Sequence, residues 1–132
     1  MGNMVDKESG YVQKEYGHKV KRYCQTLRLK DDPELIRQYV AAHSQSEAWP
    51  EIREGIRKVG ILEMEIYIRE NHLFMVVETP LDFDWEQSMK QLALLPRQAE
   101  WEAYTALFQD CDPIASSAEK WKQMDRIFYL YE

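Results

Sequence analysis

The sequence is short of cysteine: Cys24 and Cys111 are its two, far apart in 132 residues and without CxxC spacing. A disulfide framework is excluded. With no signal peptide ahead of them, reduced thiols in a cytoplasmic protein are the expected state. Histidine is nearly as scarce, and His18, His43 and His72 are too scattered to suggest a zinc site. No stretch approaches the roughly 18 apolar residues that a bilayer-spanning helix needs. Asp6 occupies the position where a myristoylation signal wants Ser or Thr. These absences predict no membrane association. Positive charge is in deficit: 17 Lys and Arg against 23 Asp and Glu give a net charge of −6. No nucleic-acid partner is expected, because a basic patch is the usual footprint of one. P-loop, GxGxxG, HExxH and nucleophile-elbow motifs are all missing, and no cofactor or metal is implied. Any catalysis must come from residues assembled in space.

What is present reads as one globular domain, with 45% apolar and 12% aromatic residues. Residues 1–18 are polar and aperiodic and are expected to be a disordered or loosely packed tail, leaving residues 19–132 as a single domain. The segment Asp31 to Gly60 carries the organising signal. Asp31-Asp32-Pro33-Glu34 starts a helix with a carboxylate cap and a proline in the first turn. Leu35, Ile36, Tyr39, Val40 and His43 then recur at spacings of three and four, which places them on one stripe. Ser44-Gln45-Ser46-Glu47 interrupts the pattern. Trp49-Pro50 restarts it, Ile52, Ile56 and Val59 continue it, and Gly60 ends it.

Around this segment lie four predicted strands. Lys19 to Leu29 places Tyr23, Leu27 and Leu29 on one face. Ile61 to Arg69 alternates, with Leu62, Met64, Ile66 and Ile68 opposite Glu63, Glu65 and Tyr67. Glu70-Asn71-His72 reads as a turn, and Leu73 to Glu78 as an interior strand completing a hairpin. Helices follow at Asp82 to Leu95, capped by Asp84, and at Arg97 to Phe108. Gln109 to Glu119 reads as a loop, and Ile127 to Tyr131 as an aromatic fourth strand. The order strand, helix, strand, strand, helix, strand predicts an α+β, ferredoxin-like (split βαβ) fold with a four-stranded antiparallel sheet and helices on one face. The uncovered sheet face then favours a homodimer, sheet against sheet.

His43 is the leading candidate for chemistry, since histidine can both give and take a proton near neutrality. The plainer reading is that it ends a helix and interacts with the dipole. Trp101 is either core or a flat platform for the C–H face of a sugar. Trp49 beside Pro50 pins the break between helices. Glu63 and Glu65 are solvated by default, or hydroxyl ligands inside a dimer pocket.

At these residues the chain resembles the bacterial L-rhamnose mutarotases, and especially the L-fucose mutarotase branch. The resemblance runs from about Lys21 to Leu130. It is carried by Tyr39-x-x-x-His43, Trp49-Pro50-Glu51, Leu73 to Glu78, the helix around Gln98 to Tyr104, and Ile127 to Leu130. No marker is specific alone; their order and spacing are. The resemblance implies a dimeric α+β barrel that interconverts the α and β anomers of a 6-deoxyhexose. It implies His43 as proton donor, with Tyr39 and Trp101 contacting the sugar. The chain departs from the family where Glu100-Trp101 replaces two adjacent tryptophans. It departs again where Met64 stands near a family tyrosine, and in a longer segment between His43 and Trp49. These departures favour L-fucose or another 6-deoxyhexose over strict rhamnose use. Glu65 or Glu100 is the expected second acid/base or hydroxyl ligand. Two other classes fit the same pattern: a sugar-binding or structural dimer without turnover, and a haem-handling or oxidoreductase barrel with His43 as iron ligand.

Overall fold

The computed structural model describes residues 7–44, 48–112 and 114–131. Among these described residues four strands form one sheet: β1 (Val20–Arg28), β2 (Glu63–Arg69), β3 (His72–Pro80) and β4 (Lys122–Gln123), in the order β2-β3-β1-β4. Neighbouring strands are antiparallel throughout, so β3 separates the parallel pair β1 and β2. That is the split βαβ arrangement the element order predicts. Among the described residues five α-helices accompany it, after a single 3₁₀ turn at Lys7–Ser9: α1 (Pro33–Ala42), α2 (Pro50–Lys58), α3 (Trp85–Ala93), α4 (Gln98–Ala106) and α5 (Ser117–Lys120).

Local chemistry sets the helix starts. The Asp32 carboxylate accepts from the Glu34 and Leu35 amides, and Pro33 opens α1. Asp84 caps α3 by accepting from the Gln87 amide at 3.1 Å. Each cap contributes about 1 kcal/mol by satisfying donors that the helix cannot. Gly60, at φ 103°, takes the left-handed conformation that ends α2.

The pairing Tyr23↔Val77↔Met64 and Leu27↔Leu73↔Ile68 brings the odd residues of β1 and β3 to the same face as the even residues of β2. Most of this face is the core side. Leu27, Leu29, Leu73 and Val77 pack there with Tyr39, Phe83, Phe108 and Trp121. The opposite face carries Arg22, whose guanidinium meets Glu78 at 2.7 Å, together with Cys24, Glu65, Tyr67 and Phe74. Part of the N-terminal segment crosses it. Tyr16 donates to Glu78 at 3.0 Å, Gln13 donates to Glu65 at 3.3 Å, and Tyr11 meets Tyr67 edge-on. Residues 1–6 and the interruption at Gln45-Ser46-Glu47 lie outside the described residues.

The structure corrects several expectations. The fourth strand is Lys122–Gln123, paired with Thr26 and Gln25, and not Ile127 to Tyr131. After the Met124 amide donates to the Cys24 carbonyl, residues 125–131 leave the sheet. Ile127 is 95% exposed and Phe128 73%. Aromatic and β-branched residues favour a strand, but a strand also needs a partner edge, and this segment has none within the described residues. His72 belongs to β3 rather than to the turn, which is tightened by Glu70 at φ 57°. The stretch read as a loop contains α5, closed by a reciprocal Ser116–Glu119 capping box. Val40 is half exposed and falls outside the buried stripe of α1.

Candidate active site

His43 stands at the C-cap of α1. Once Asp32-Pro33 sets where the helix begins, its 3.6-residue turn places Tyr39 and His43 one above the other. His43 Nδ1 lies 2.7 Å from the Tyr39 carbonyl oxygen. A carbonyl only accepts, so Nδ1 carries the proton and Nε2 keeps a lone pair in the neutral ring. Burial holds the His43 pKa below its usual 6.5; the hydrogen bond to Tyr39 pulls upward, and Arg53 lowers it further. The imidazole is therefore neutral at neutral pH. A charged interaction with the helix dipole, the plain reading of a helix-ending histidine, is opposed by that burial.

Tyr39 is 3% exposed. Burial pushes its phenol up to about 12, so the hydroxyl stays protonated. Gln109 Nε2 donates to that hydroxyl oxygen at 3.5 Å, a long contact. The Tyr39 ring lies 4.5 Å from the imidazole, and the Trp101 ring meets the imidazole edge-on at 5.1 Å. Trp101 comes from α4, so helix packing, not sequence spacing, creates this contact. Trp49, at the N-cap of α2, lies 5.2 Å from Trp101 and stacks on Tyr104 at 5.8 Å. The Arg97 guanidinium covers Trp49 at 4.1 Å and pairs with Glu51 at 3.6 Å and Glu100 at 3.4 Å. That clamp holds the start of α4 against the start of α2.

These groups open on a cavity of about 500 Å³ between the inner sheet face and helices α1 to α5. Small-molecule sites span roughly 300–1,000 Å³, so a monosaccharide fits this volume. The lining mixes apolar side chains, including Ile52, Met64 and Met75, with the polar groups of His43 and Gln98.

Of the residues singled out in the sequence, the structure brings together His43, Tyr39 and Trp101. It does not bring Glu65 or Glu100 to them. Strand alternation turns Glu65 to the outer face, where it accepts from Gln13. Glu100 has a side chain 63% exposed and pairs with Arg97. Neither lines the cavity; Glu63 and Glu102 are the carboxylates that do, among the described residues. Gln25, Gln98, Glu102 and Gln109 also line the cavity, and none of them stands out in the sequence by residue type. A signal in the spacing is nonetheless there. Gln25 shares the parity of Tyr23, Leu27 and Leu29, a polar residue in an apolar row. Gln98, Glu102, Thr105 and Gln109 recur at spacings of four and three beside the Trp101 stripe.

The profile of the L-rhamnose mutarotase family matches residues 22–130. The chain is 37% identical over 113 residues to an L-fucose mutarotase of Xanthomonas campestris pv. campestris, covering 86% of this chain and 90% of that protein. It is 35% identical over 114 residues to a UPF0734 protein of Dictyostelium discoideum, covering 83% of this chain and 90% of that one. The fold is similar to the crystal structure of an L-rhamnose mutarotase from Formosa agariphila, with a TM-score of 0.56 over 83% of this chain and 98% of the other. Identity there is 19%, so that likeness speaks for the fold alone. The profile spans most of the chain, and the cavity it covers pairs a neutral, partly buried histidine with two aromatic rings: the chain belongs to the L-rhamnose mutarotase family, isomerases that act on sugar anomers.

Proposed function

We propose that this protein interconverts the α and β anomers of L-fucose or a related 6-deoxyhexose, with His43 as the group that moves the proton. The observation that carries this reading is the His43 tautomer. With Nδ1–H tied to the Tyr39 carbonyl, Nε2 is the free basic atom beside Trp101. A sugar hemiacetal has its hydroxyl oxygen and its ring oxygen on one carbon, so a single imidazole reaches both. Nε2 takes the proton from the anomeric hydroxyl. The new Nε2–H returns it to the ring oxygen as the carbon–oxygen bond of the ring breaks. The open aldehyde rotates, and the same steps in reverse close the ring on its other face. No proton is gained or lost overall. Trp101 supplies a flat face for sugar C–H groups, and the Tyr39 hydroxyl offers a hydrogen bond to a sugar oxygen. The apolar lining from Ile52, Met64 and Met75 suits a C6 methyl group, and the name of the Xanthomonas relative favours L-fucose.

The test is saturation-transfer NMR of anomer exchange for L-fucose and L-rhamnose, with and without protein. Faster exchange of L-fucose is expected. Unchanged exchange of both sugars, in protein that is folded, would overturn the reading.

We also propose a homodimer. Its support is the apolar arm: Ile127, Phe128, Leu130 and Tyr131 are each at least 69% exposed, and Phe74 on the outer sheet face is 37% exposed. A contiguous exposed apolar segment of this kind favours burial against a second chain. Light scattering should give twice the chain mass, and a chain ended after Met124 should give the monomer mass. A full-length monomer at tens of micromolar would refute it.

A further inference from the structure

We infer that Gln25 and Gln98 are substrate-positioning residues, holding sugar hydroxyls with side-chain amides that the fold buries without enough protein partners. The inference rests on the mutarotase reading of the cavity.

Gln25 is 3% exposed and projects from the middle of β1 on the core face. It lines the cavity; no hydrogen bond holds its side chain among the described residues, and its amide atoms, unlike Gln98 Oε1, are not fully sealed from the cavity space. Gln98 is 6% exposed and opens α4, one turn before Trp101 and Glu102. Its Nε2 donates to Glu102 at 3.1 Å, while its Oε1 is buried with no partner among the described residues. The carboxylate sets the orientation of this amide, because a carboxylate accepts and only the NH₂ end can donate. The free end of Gln98 is thus an acceptor, suited to the O–H of a sugar. Gln25 offers both a donor and an acceptor. One amide comes from the sheet and the other from α4, so together they approach a bound ring from two elements.

Gln109 provides the contrast. It is as buried as Gln25, at 3% exposure, yet it donates to the Tyr39 hydroxyl and its Oε1 lies 3.9 Å from Cys111 Sγ. Its hydrogen bonds are internal, and its role is to hold Tyr39. A buried amide left unpaired is costly, whereas a methionine of similar size would not be. The cost is recovered when a ligand supplies the missing partners. Neutral amides also bind hydroxyls without placing charge beside His43, whose neutral state the reaction uses.

The experiment uses Gln25→Met and Gln98→Met in the full chain. It combines anomer-exchange kinetics on L-fucose, binding followed by NMR line shifts, and thermal melting. Each variant should raise KM by about 10- to 100-fold with the pH midpoint of kcat unchanged. The melting temperature should stay level or rise, because an unpartnered polar group has been removed. With L-fucose analogues each lacking one hydroxyl, one analogue per variant should show no further loss, which identifies the hydroxyl that amide holds. Unchanged KM overturns the inference. So does an equal loss for every analogue with lowered melting, which marks a structural glutamine. If wild-type protein binds L-fucose without accelerating exchange, the mutarotase reading fails while the variants' binding constants still decide the role of the amides. If it binds none of these sugars, both fall.

Discussion

Replacing His43 by alanine is expected to lower the acceleration of anomer exchange by about 10²- to 10⁴-fold, the usual contribution of a positioned general acid–base group. His43→Gln, which keeps more of the bulk against Tyr39 and Trp101, should lose the same activity and retain the fold. The pH dependence has a definite sign. The proposed first step needs a lone pair on Nε2, so the neutral ring is the active form. Burial holds the His43 pKa below 6.5. Activity should therefore rise with pH through a midpoint below 6.5 and be level through neutrality. Stability follows the same direction. The unfolded chain protonates this ring near 6.5, but the folded protein does so only at lower pH. The stability associated with neutral His43 is complete above 6.5 and is lost as pH falls through the depressed folded value. NMR titration of the ring protons, beside the rate profile, checks both. A midpoint above 6.5 in the rate profile would contradict the proposed role.

Leu29→Ala carries the largest expected loss of stability, about 2–5 kcal/mol. Leu29 is completely buried. Its amide donates to the Asn71 carbonyl at 2.8 Å, its carbonyl accepts from Asn71 Nδ2 at 3.0 Å, and it bridges to Gln109. The surrounding backbone is therefore pinned and cannot collapse into the space that the lost side-chain atoms would leave. Domains of this size hold together by only about 5–15 kcal/mol, so the variant should sit close to unfolding at moderate temperature. Leu94→Ala is the matched control: Leu94 is 87% exposed. Its loss should change stability by less than about 0.5 kcal/mol. Urea melts of the two variants compare them directly. Equal midpoints would show that the core centred on β1 and β3 does not carry the stability assigned to it.

Half of the candidate site is legible in the sequence. Tyr39 and His43 lie four residues apart on a capped helix, and a helix alone makes them neighbours. That Trp101 meets His43 is not legible from spacing, because α2, the β2–β3 hairpin and α3 all intervene; the family resemblance points to Trp101, and packing of α4 places it. The carboxylates show the opposite failure. Glu65 and Glu100 look eligible by type, but strand parity sends one outward and an ion pair with Arg97 holds the other at the surface. The fourth strand departs from expectation for a related reason. Ile127 to Tyr131 has the composition of a strand, while Lys122-Gln123 has the edge of β1 beside it.

By itself the sequence determined whatever depends on neighbours along the chain: the caps at Asp32 and Asp84, the stop at Gly60, the β2–β3 hairpin, and the element order that selects a split βαβ sheet. These follow from hydrogen bonds and periodicities that close within a few residues. The tertiary structure alone decided which segment completes the sheet, which polar residues end beside His43, and that His43 is buried enough to stay neutral. Each of those depends on distances between elements remote in the chain. Burial, and the pKa that follows from it, exists only once those elements have packed.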